Sequence, residues 1–111
     1  MKLSEKFITL NNLSKYIDNG TSIGIGGHHF ARLPIALINE LLKKNPKDLE
    51  FISWSGGLAL ELFLQKKSIK KMQICFSSLD IFGLAPSFRK ICEERGIEVV
   101  DWSALGLIKA L

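Results

Sequence analysis

Hydrophobic residues fall into two alternating patterns along the chain: short continuous runs, and stripes at helical spacing. The runs predict buried strands, whereas the stripes, which are bounded by capping residues, glycine or proline, predict helices. The predicted strands cover 21–26, 49–53, 71–76 and 97–101, and the predicted helices cover 10–17, 34–44, 58–66 and 86–95, with a final helical piece capped by Ser103. Alternation of this kind favours right-handed crossovers between parallel strands. The pattern therefore predicts an α/β fold with an open, mainly parallel sheet and helices on both faces.

Length and composition indicate a single α/β domain over residues 1–111. Hydrophobic residues make up 47% of the chain and charged residues 23%, which is ordinary for a globular protein. No apolar run approaches the ~20 residues of a membrane-spanning helix, and no signal-peptide pattern follows Met1, so we expect a cytoplasmic protein without a membrane partner. The net charge of +4 lies mainly in dispersed lysine pairs without interleaved aromatic residues, which argues against a nucleic-acid partner.

The two cysteines do not form a recognisable metal or redox motif. Cys75 and Cys92 are too far apart for a Cys-x-x-Cys pair. Cys75 lies in a predicted strand, and Cys92 lies on the inner face of a predicted helix. Because free cysteine is among the most buried residue types, we expect both thiols to be buried.

A glycine-rich loop follows the first predicted strand and leads into a helix that begins with Pro34. Gly26 and Gly27 present bare backbone N–H groups in this loop, and the positive end of a helix dipole favours an anion or a developing oxyanion. The same glycines could instead serve only to permit a tight turn between strand and helix. We interpret them as an anion-binding loop.

Two nucleotide-binding motifs fit this loop poorly. Gly24 and Gly26 match the first two glycines of a dinucleotide fingerprint, but His29 stands at the third and would prevent close packing of helix on strand. Ser53 and Trp54 stand where the fingerprint requires an acidic residue. A phosphate-binding P-loop does not fit either, because no Gly-Lys-Ser/Thr follows. A dinucleotide cofactor is therefore a weak alternative.

The segment from Asn19 to Pro34 resembles the glycine motif of the A (alpha) subunit of family I coenzyme A-transferases. That motif reads Asn/Asp-Gly, two free positions, three apolar residues, Gly-Gly-Phe, three free positions and Gly-x-Pro. The chain departs from it at Gly24 within the apolar run, at His28 where phenylalanine is usual, and at Arg32, which replaces the last glycine. The Arg-x-Pro ending is more similar to the glutaconate CoA-transferase branch than to the 3-oxoacid branch.

The resemblance covers essentially the whole chain and implies one half of a heteromeric enzyme. A subunits of that family are more than twice this long, so it implies the N-terminal portion of a truncated A subunit. It also implies ping-pong chemistry, in which a glutamate of a B subunit attacks an acyl-CoA thioester and an enzyme-bound CoA thioester forms on the way to a second carboxylic acid. Coenzyme A would then be a substrate, with no permanently bound cofactor. Gly26 and Gly27 would donate to the oxyanion.

The glutamates within the predicted strands and helices do not supply the nucleophile. None stands in the glycine-flanked motif of the family's B half. They lie on predicted helices or alternate with apolar strand residues, and we expect all of them to face solvent. They are Glu40, Glu50, Glu61, Glu93, Glu94 and Glu98.

Three loops rich in small polar residues follow the carboxyl ends of predicted strands, where open parallel sheets bind their ligands. The second and third loops could equally be simple turns between strand and helix. Besides the glycine pair, the predicted substrate-binding residues are His28, His29, Phe30, Arg32, Ser53, Ser55, Gly56, Gly57 and Ser77.

The two adjacent histidines are expected to have different roles. His28 and His29 point in different directions and have no carboxylate or cysteine at ligand spacing, so we expect no metal there. One imidazole is expected to donate to a substrate carboxylate, and the other to be structural. Arg32 could pair with a substrate or CoA phosphate, or hold the loop to its own sheet. Phe30 and Trp54 could belong to the wall of the site or to the core.

The sequence therefore predicts the A-subunit portion of a heteromeric CoA-transferase for a short acyl or dicarboxylic acid. We expect it to be inactive without the B subunit. The alternative is a non-catalytic anion-binding or assembly module with the same fold. A third possibility, an isomerase-like or sugar-phosphate-binding protein, would require a catalytic acid and a lysine near the glycine loop, and neither is present.

Overall fold

A four-stranded parallel sheet forms the centre of the computed structural model, which describes residues 7–111. The strands lie side by side in chain order, and Ile23, Phe51, Met72 and Val99 are in register across the sheet. The strands are β1, Ser22–Gly24; β2, Leu49–Ser55; β3, Ile69–Phe76; and β4, Glu98–Asp101. This arrangement confirms the predicted open parallel sheet.

A helix connects each pair of neighbouring strands, as parallel crossovers require. The α-helices are α1, Ile35–Lys43; α2, Gly57–Gln65; α3, Pro86–Glu94; and α4, Ala104–Ala110, with 3-10 helices at Leu10–Tyr16 and Asp80–Phe82. Ser103 caps α4, as predicted, by accepting a hydrogen bond from the Gly106 N–H at 3.0 Å. One detail differs: Pro34 is the N-cap residue of α1 rather than part of its first turn.

Helices α1, α2 and α3 cover one face of the sheet, because right-handed connections between strands in chain order place every crossover on the same side. The hydrophobic core lies on this face. Phe51 and Met72 of the sheet are fully buried in one cluster with Leu60 and Phe63 of α2 and Ile38 of α1. Burying a side chain of this size contributes about 1.5–3 kcal/mol. This layer therefore dominates the stability of the fold.

Helix α4 packs on the other face of the sheet, against β2 and β3. Its Leu107 is buried, and the indole N–H of Trp102, just before the helix, donates to Gln73 Oε1 at 2.9 Å. Gln73 points away from the core residues Met72 and Ile74 because side chains alternate along a strand. Helices therefore lie on both faces, as predicted.

The amino-terminal half of this second face carries a network of polar side chains around Glu50. Its carboxylate accepts hydrogen bonds from Ser22 Oγ and from Gln73 Nε2, the latter at 2.7 Å. Lys71 Nζ lies 3.4 Å from Glu50 and 3.5 Å from Glu98. The hydrogen bonds, that of Ser22 first, lower the pKa of the Glu50 carboxyl. Glu50 is half-buried and partnered, so the expectation that it faces solvent is wrong.

Glu61 departs furthest from the expected solvent-facing position. It lies in α2 and is only 2% exposed. Its carboxylate accepts hydrogen bonds from the backbone N–H groups of Ser87 at 3.0 Å and Phe88 at 2.8 Å, in the first turn of α3. Ala85, the N-cap residue of α3, has no side chain that could serve as a cap. Glu61 therefore satisfies orphan N–H groups of a neighbouring helix, which no local pattern indicates.

Strand β2 and Cys92 also differ from the predictions. β2 continues to Ser55, so residues 53–55 belong to a strand and not to a turn. Cys75 is half-buried, but Cys92 is exposed, and the prediction of a buried thiol there is wrong. The reason is that Phe88 and Ile91 take the inward positions of α3. No helix within residues 7–111 is both long and apolar enough to cross a membrane.

Candidate functional site at the carboxyl edge of the sheet

Three segments meet at the carboxyl edge of the sheet: the glycine loop (residues 25–34), the Gly56–Gly57 turn after β2, and the third loop (residues 77–85). The Leu58 N–H donates to the carbonyl oxygen of His29 at 3.0 Å. The Gly56 N–H donates to the carbonyl oxygen of Phe76 at the same distance. His29 Nδ1 lies 3.1 Å from the carbonyl oxygen of Ser78. The structure thus brings together the three strand ends that the sequence singled out.

The glycine pair of the first loop combines one strained position with one open position. Gly27 has φ +115°, and a Cβ atom there would lie 2.5 Å from Leu33 Cδ2, so this position requires glycine. Gly26 is exposed, and a Cβ atom there would meet nothing within 4 Å. Neither N–H group makes a hydrogen bond with a residue in the described range 7–111. Both N–H groups are therefore unpaired within that range.

These glycines do not belong to the first turn of α1, contrary to the expectation that the loop leads directly into the helix. His28 and Ala31 exchange two backbone hydrogen bonds, of 3.0 and 2.7 Å, and so close a tight turn between Gly27 and the helix. Helix α1 begins only at Ile35. The availability of the two N–H groups therefore comes from the shape of the loop and not from a helix end.

The predicted serine contacts lie beneath the loops. Ser53 is 4% exposed, and its Oγ lies 2.8 Å from the carbonyl oxygen of Ile25 and 2.9 Å from that of Ser55, so its one proton is shared between the start of the glycine loop and its own strand. Ser55 and Ser77 are 1% and 7% exposed, and their hydroxyls have no hydrogen-bond partner among residues 7–111. The burial of all three serines favours a supporting position over direct contact with a ligand.

Packing between loops accounts for the second glycine pair. Gly57 has φ +48°, and a Cβ atom there would lie 2.5 Å from the carbonyl oxygen of His29. A Cβ atom on Gly56 would lie 2.7 Å from both Ser77 Oγ and Leu60 Cδ2. Glycine is needed at both positions because the other loops approach the backbone so closely.

The two histidines occupy different environments. His29 is half-buried, and its Nδ1 lies 3.0 Å from Ser78 Oγ in addition to the Ser78 carbonyl. His28 is exposed, its ring lies 3.9 Å from that of His29 and 5.2 Å from that of Trp54, and its side chain makes no hydrogen bond within residues 7–111. No group of three His, Cys, Asp or Glu side chains in that range could hold a metal ion.

Aromatic side chains line the same edge. Trp54 packs edge-to-face on Phe76, with ring centroids 5.0 Å apart, and is 38% exposed. Phe30 packs in the same way on Phe82 at 5.6 Å, and both rings are exposed. The sequence reasoning missed Phe76 and Phe82, because an aromatic residue in a strand or loop is normally assigned to the core. The rings of His28 and His29 in the glycine loop also lie near Phe76, with centroids 6.0 and 5.6 Å away.

Arg32 is the cation of the glycine loop. It is exposed, has φ +56°, and makes no ion pair or side-chain hydrogen bond with residues 7–111. Its guanidinium therefore does not hold the loop to the sheet, and it remains free for an anionic ligand. A separate groove of about 470 Å³ lies between α2 and α3 at the amino edge, lined by residues such as Leu64 and Ile91.

Fold and site together define an open α/β domain that presents unpaired glycine N–H groups, an imidazole and an aromatic wall at the carboxyl edge of its sheet. Such an arrangement suits a ligand with an anionic oxygen and an apolar part. The family model for coenzyme A transferase matches residues 9–111. The chain belongs to the coenzyme A transferase family.

Individual relatives agree with this assignment. The chain is 34% identical over 76 residues to the cholesterol ring-cleaving hydrolase IpdA subunit of Rhodococcus jostii (strain RHA1). Its fold is similar to that of a cysteine-to-serine variant of the decarboxylase AibA/AibB, with a TM-score of 0.79 at 23% identity over 86% of the chain. It is also similar to glutaconate coenzyme A-transferase from Acidaminococcus fermentans, with a TM-score of 0.77 at 24% identity over 87% of the chain.

The chain spans only part of each of these proteins. The matched region covers 68% of this chain and 25% of the IpdA subunit. It covers 38% of the decarboxylase chain and 31% of the glutaconate coenzyme A-transferase chain. The comparisons therefore establish the family and the fold.

Proposed function

We propose that this chain is the N-terminal part of the A subunit of a heteromeric CoA-transferase, and that its glycine loop stabilises the oxyanion formed when an acyl-CoA thioester is attacked. The observation that carries the proposal is the pair of N–H groups on Gly26 and Gly27, which have no partner within residues 7–111. They lie at the ligand-binding edge of a sheet in a member of the coenzyme A transferase family.

The chemistry explains why such donors are needed. A glutamate carboxylate adds to the thioester carbonyl carbon, and the negative charge passes to the carbonyl oxygen. Cleavage of the C–S bond then releases CoA thiolate and leaves a mixed anhydride. The thiolate adds to the glutamyl carbonyl of the anhydride, which frees the acid and leaves an enzyme-bound CoA thioester for the second acid. Losing one donor to such an oxyanion typically costs about 10²–10³ in rate.

The nucleophile of the proposed reaction comes from a B subunit. Within residues 7–111, each glutamate is engaged away from the three loops. Glu61 caps α3, and Glu50 and Glu98 belong to the polar network on the second face of the sheet. The remaining three pair with lysine or arginine on their own helices: Glu40 with Lys43, Glu93 with Arg89, and Glu94 with Lys90.

The exposed side chains of the site suggest how the substrate is held. His28 donates to a carboxylate oxygen, and the rings of Trp54 and Phe30 contact the acyl group. Arg32 pairs with a phosphate or carboxylate of the incoming ligand, since a guanidinium suits both. Acyl-CoA and the carboxylic acid are substrates in this proposal, and no permanently bound cofactor is required.

Hydrolysis is the second candidate, because the curated relative at 34% identity is named a hydrolase subunit. The relative's name refers to ring cleavage. Hydrolysis of an acyl-CoA thioester by this chain would use water in place of the second carboxylic acid, and the same N–H groups would stabilise the oxyanion. A non-catalytic binding module would keep the fold without either activity.

Reconstitution separates these possibilities. The chain is tagged at its N-terminus in its native locus, purified with whatever partner accompanies it, and assayed with a panel of acyl-CoA thioesters, with and without carboxylic acid acceptors. Transfer that requires both the partner and an acid supports the proposal. CoA release that is independent of the acid indicates hydrolysis. If neither transfer nor hydrolysis is observed with any thioester, both catalytic proposals are contradicted and the non-catalytic module is favoured.

A further inference from the structure

His29 contacts both of the other segments that meet the glycine loop at this edge of the sheet. Its backbone has φ +48°, in the left-handed region that non-glycine residues seldom adopt. Its carbonyl oxygen accepts the Leu58 N–H at 3.0 Å, and Gly57 packs against its backbone. Its Nδ1 lies 3.1 Å from the Ser78 carbonyl oxygen and 3.0 Å from Ser78 Oγ. One residue thus connects the glycine loop to both other segments.

The contacts at Nδ1 determine where the imidazole proton lies. A carbonyl oxygen can only accept a hydrogen bond, so the contact with the Ser78 carbonyl is favourable only when Nδ1 carries the proton. The Ser78 hydroxyl oxygen then accepts from the same N–H or directs its own proton elsewhere. The carbonyl contact favours the tautomer with the proton on Nδ1, whereas a Ser78 hydroxyl that donated to a bare Nδ1 would leave this carbonyl without a proton from the ring.

The glycine loop needs such an anchor because its central N–H groups make no bonds within residues 7–111 that would fix them. On the strand side, Ser53 Oγ holds the carbonyl oxygen of Ile25 at 2.8 Å. On the other side, the turn from His28 to Ala31 is closed on itself. His29 makes its hydrogen bonds to the other two segments, and the rings of His28 and Phe30 add contacts with Trp54 and Phe82.

We propose that His29 is a positioning residue that acts through its Nδ1–H: by clamping the tip of the glycine loop to Ser78, it holds the N–H groups of Gly26 and Gly27 in their donating geometry, and its Nε2 takes no part in proton transfer. His28, whose ring is exposed, is the imidazole that contacts the ligand. This assignment rests on the proposed function for its effect on rate, but the clamp itself can be tested without any activity.

Two substitutions separate positioning from proton transfer. Asparagine places a side-chain N–H near the position of Nδ1 and tolerates the left-handed backbone, so His29→Asn keeps the donor and removes Nε2. Glutamine reaches towards the position of Nε2 instead, so His29→Gln loses the bond to Ser78. The same pair of substitutions at His28 serves as the matched control for the structural measurement alone, because the His28 side chain has no such partner within residues 7–111.

The first measurement is structural. Nitrogen-15 NMR of the uniformly labelled chain reports both the backbone N–H groups and two imidazoles, since the sequence contains two histidines. His29 is expected in the Nδ1–H tautomer. The backbone N–H signals of Gly26, Gly27 and Leu58 are expected to remain in place in His29→Asn and to move in His29→Gln. The proposed clamp is overturned if the His29 ring is protonated only at Nε2. It is also overturned if the glycine signals keep their positions in both variants.

The second measurement is turnover of acyl-CoA by the chain assembled with its partner subunit. His29→Asn is expected to stay within about threefold of the unaltered enzyme, and His29→Gln to lose about 10–100-fold in kcat with little change in KM, because a displacement of about 1 Å in a catalytic group can cost 10² in rate. Activity in His29→Gln but not in His29→Asn would make Nε2 the functional atom and overturn the proposal. If the unaltered assembly has no activity, the proposed function fails, while the NMR measurement still decides the clamp.

Discussion

Two glycine pairs stand at neighbouring strand ends of this sheet and look equivalent in the sequence. The pair Gly56–Gly57 is needed because the His29 backbone and the Ser77 side chain approach within 2.5–2.8 Å of where Cβ atoms would lie. The pair Gly26–Gly27 contains one exposed position with nothing within 4 Å, and neither of its N–H groups has a partner within residues 7–111. A Gly-Gly after a strand can therefore serve packing between loops, or binding. Only the contacts of each pair distinguish the two roles.

The largest expected effect is on stability, at the pair Gly56–Gly57, against which the other loops pack. Gly57→Ala places a methyl group against the His29 backbone at a residue with φ +48°, so we expect a loss of about 3 kcal/mol in the free energy of unfolding. Urea denaturation followed by circular dichroism measures it. Gly96→Ala, where a Cβ atom meets nothing within 4 Å, is the control and should change stability little. Equal stability of the two variants would show that the second pair is not a packing requirement.

The second largest effect is on activity, at the pair Gly26–Gly27, whose N–H groups are unpaired within residues 7–111. Gly26→Ala has room for its methyl group, so its stability should remain within about 0.5 kcal/mol of the unaltered chain, whereas crowding of the N–H donor should lower kcat of the assembled enzyme by about 10². Gly24→Ala is the matched control, since a Cβ atom there also meets nothing within 4 Å. A fully active Gly26→Ala enzyme would remove the functional distinction between the pairs.

Ser53 tests whether the open pair depends on support from below. Ser53→Ala removes the hydrogen bond from Oγ to the Ile25 carbonyl, which should cost about 1 kcal/mol of stability. The loop should also lose part of its alignment, so we expect kcat to fall by about tenfold. If stability falls but kcat does not, the geometry of the glycine loop does not depend on this hydrogen bond.

The smallest expected effect is a loss of stability of the sheet at acidic pH. This loss does not distinguish the two glycine pairs. Hydrogen bonds, first from Ser22, lower the pKa of Glu50 below its ordinary value. A carboxyl with a lowered pKa in the folded state stabilises the fold above its unfolded pKa, and this contribution disappears as the pH falls through the folded pKa. The urea midpoint should therefore fall more steeply below about pH 5 in the unaltered chain than in Glu50→Gln. If the urea midpoints of the two proteins fall in parallel with pH, Glu50 does not contribute this pH-dependent stability.

The fold could be predicted from the sequence because its signals are local. Apolar runs and helical stripes give the strands, the helices and, through crossover handedness, the parallel sheet. The end of β2 was predicted too early because Ser53 and Ser55 are small and polar although they are buried. Glu61 could not be predicted as buried, since the N–H groups that bind it belong to another helix.

Only the part of the candidate site that has a local signal in the sequence could be predicted. Topology alone indicates that the three loops meet, and the glycine loop is visible as a motif. The division of roles between His28 and His29 depends on Ser78, which is 49 residues from His29 in the chain. The need for glycine at position 57 likewise depends on the backbone of His29. Such long-range contacts leave no periodic signal in the sequence.

The most direct test of the central claim is an NMR titration of the assembled protein, labelled with nitrogen-15 glycine, with an acyl-CoA thioester that it binds. The account predicts that the N–H signals of Gly26 and Gly27 move on binding, as expected for donors to the ligand's carbonyl oxygen, while those of Gly56 and Gly57 stay near their starting positions. Signals of Gly26 and Gly27 that remain unchanged at saturation would contradict it.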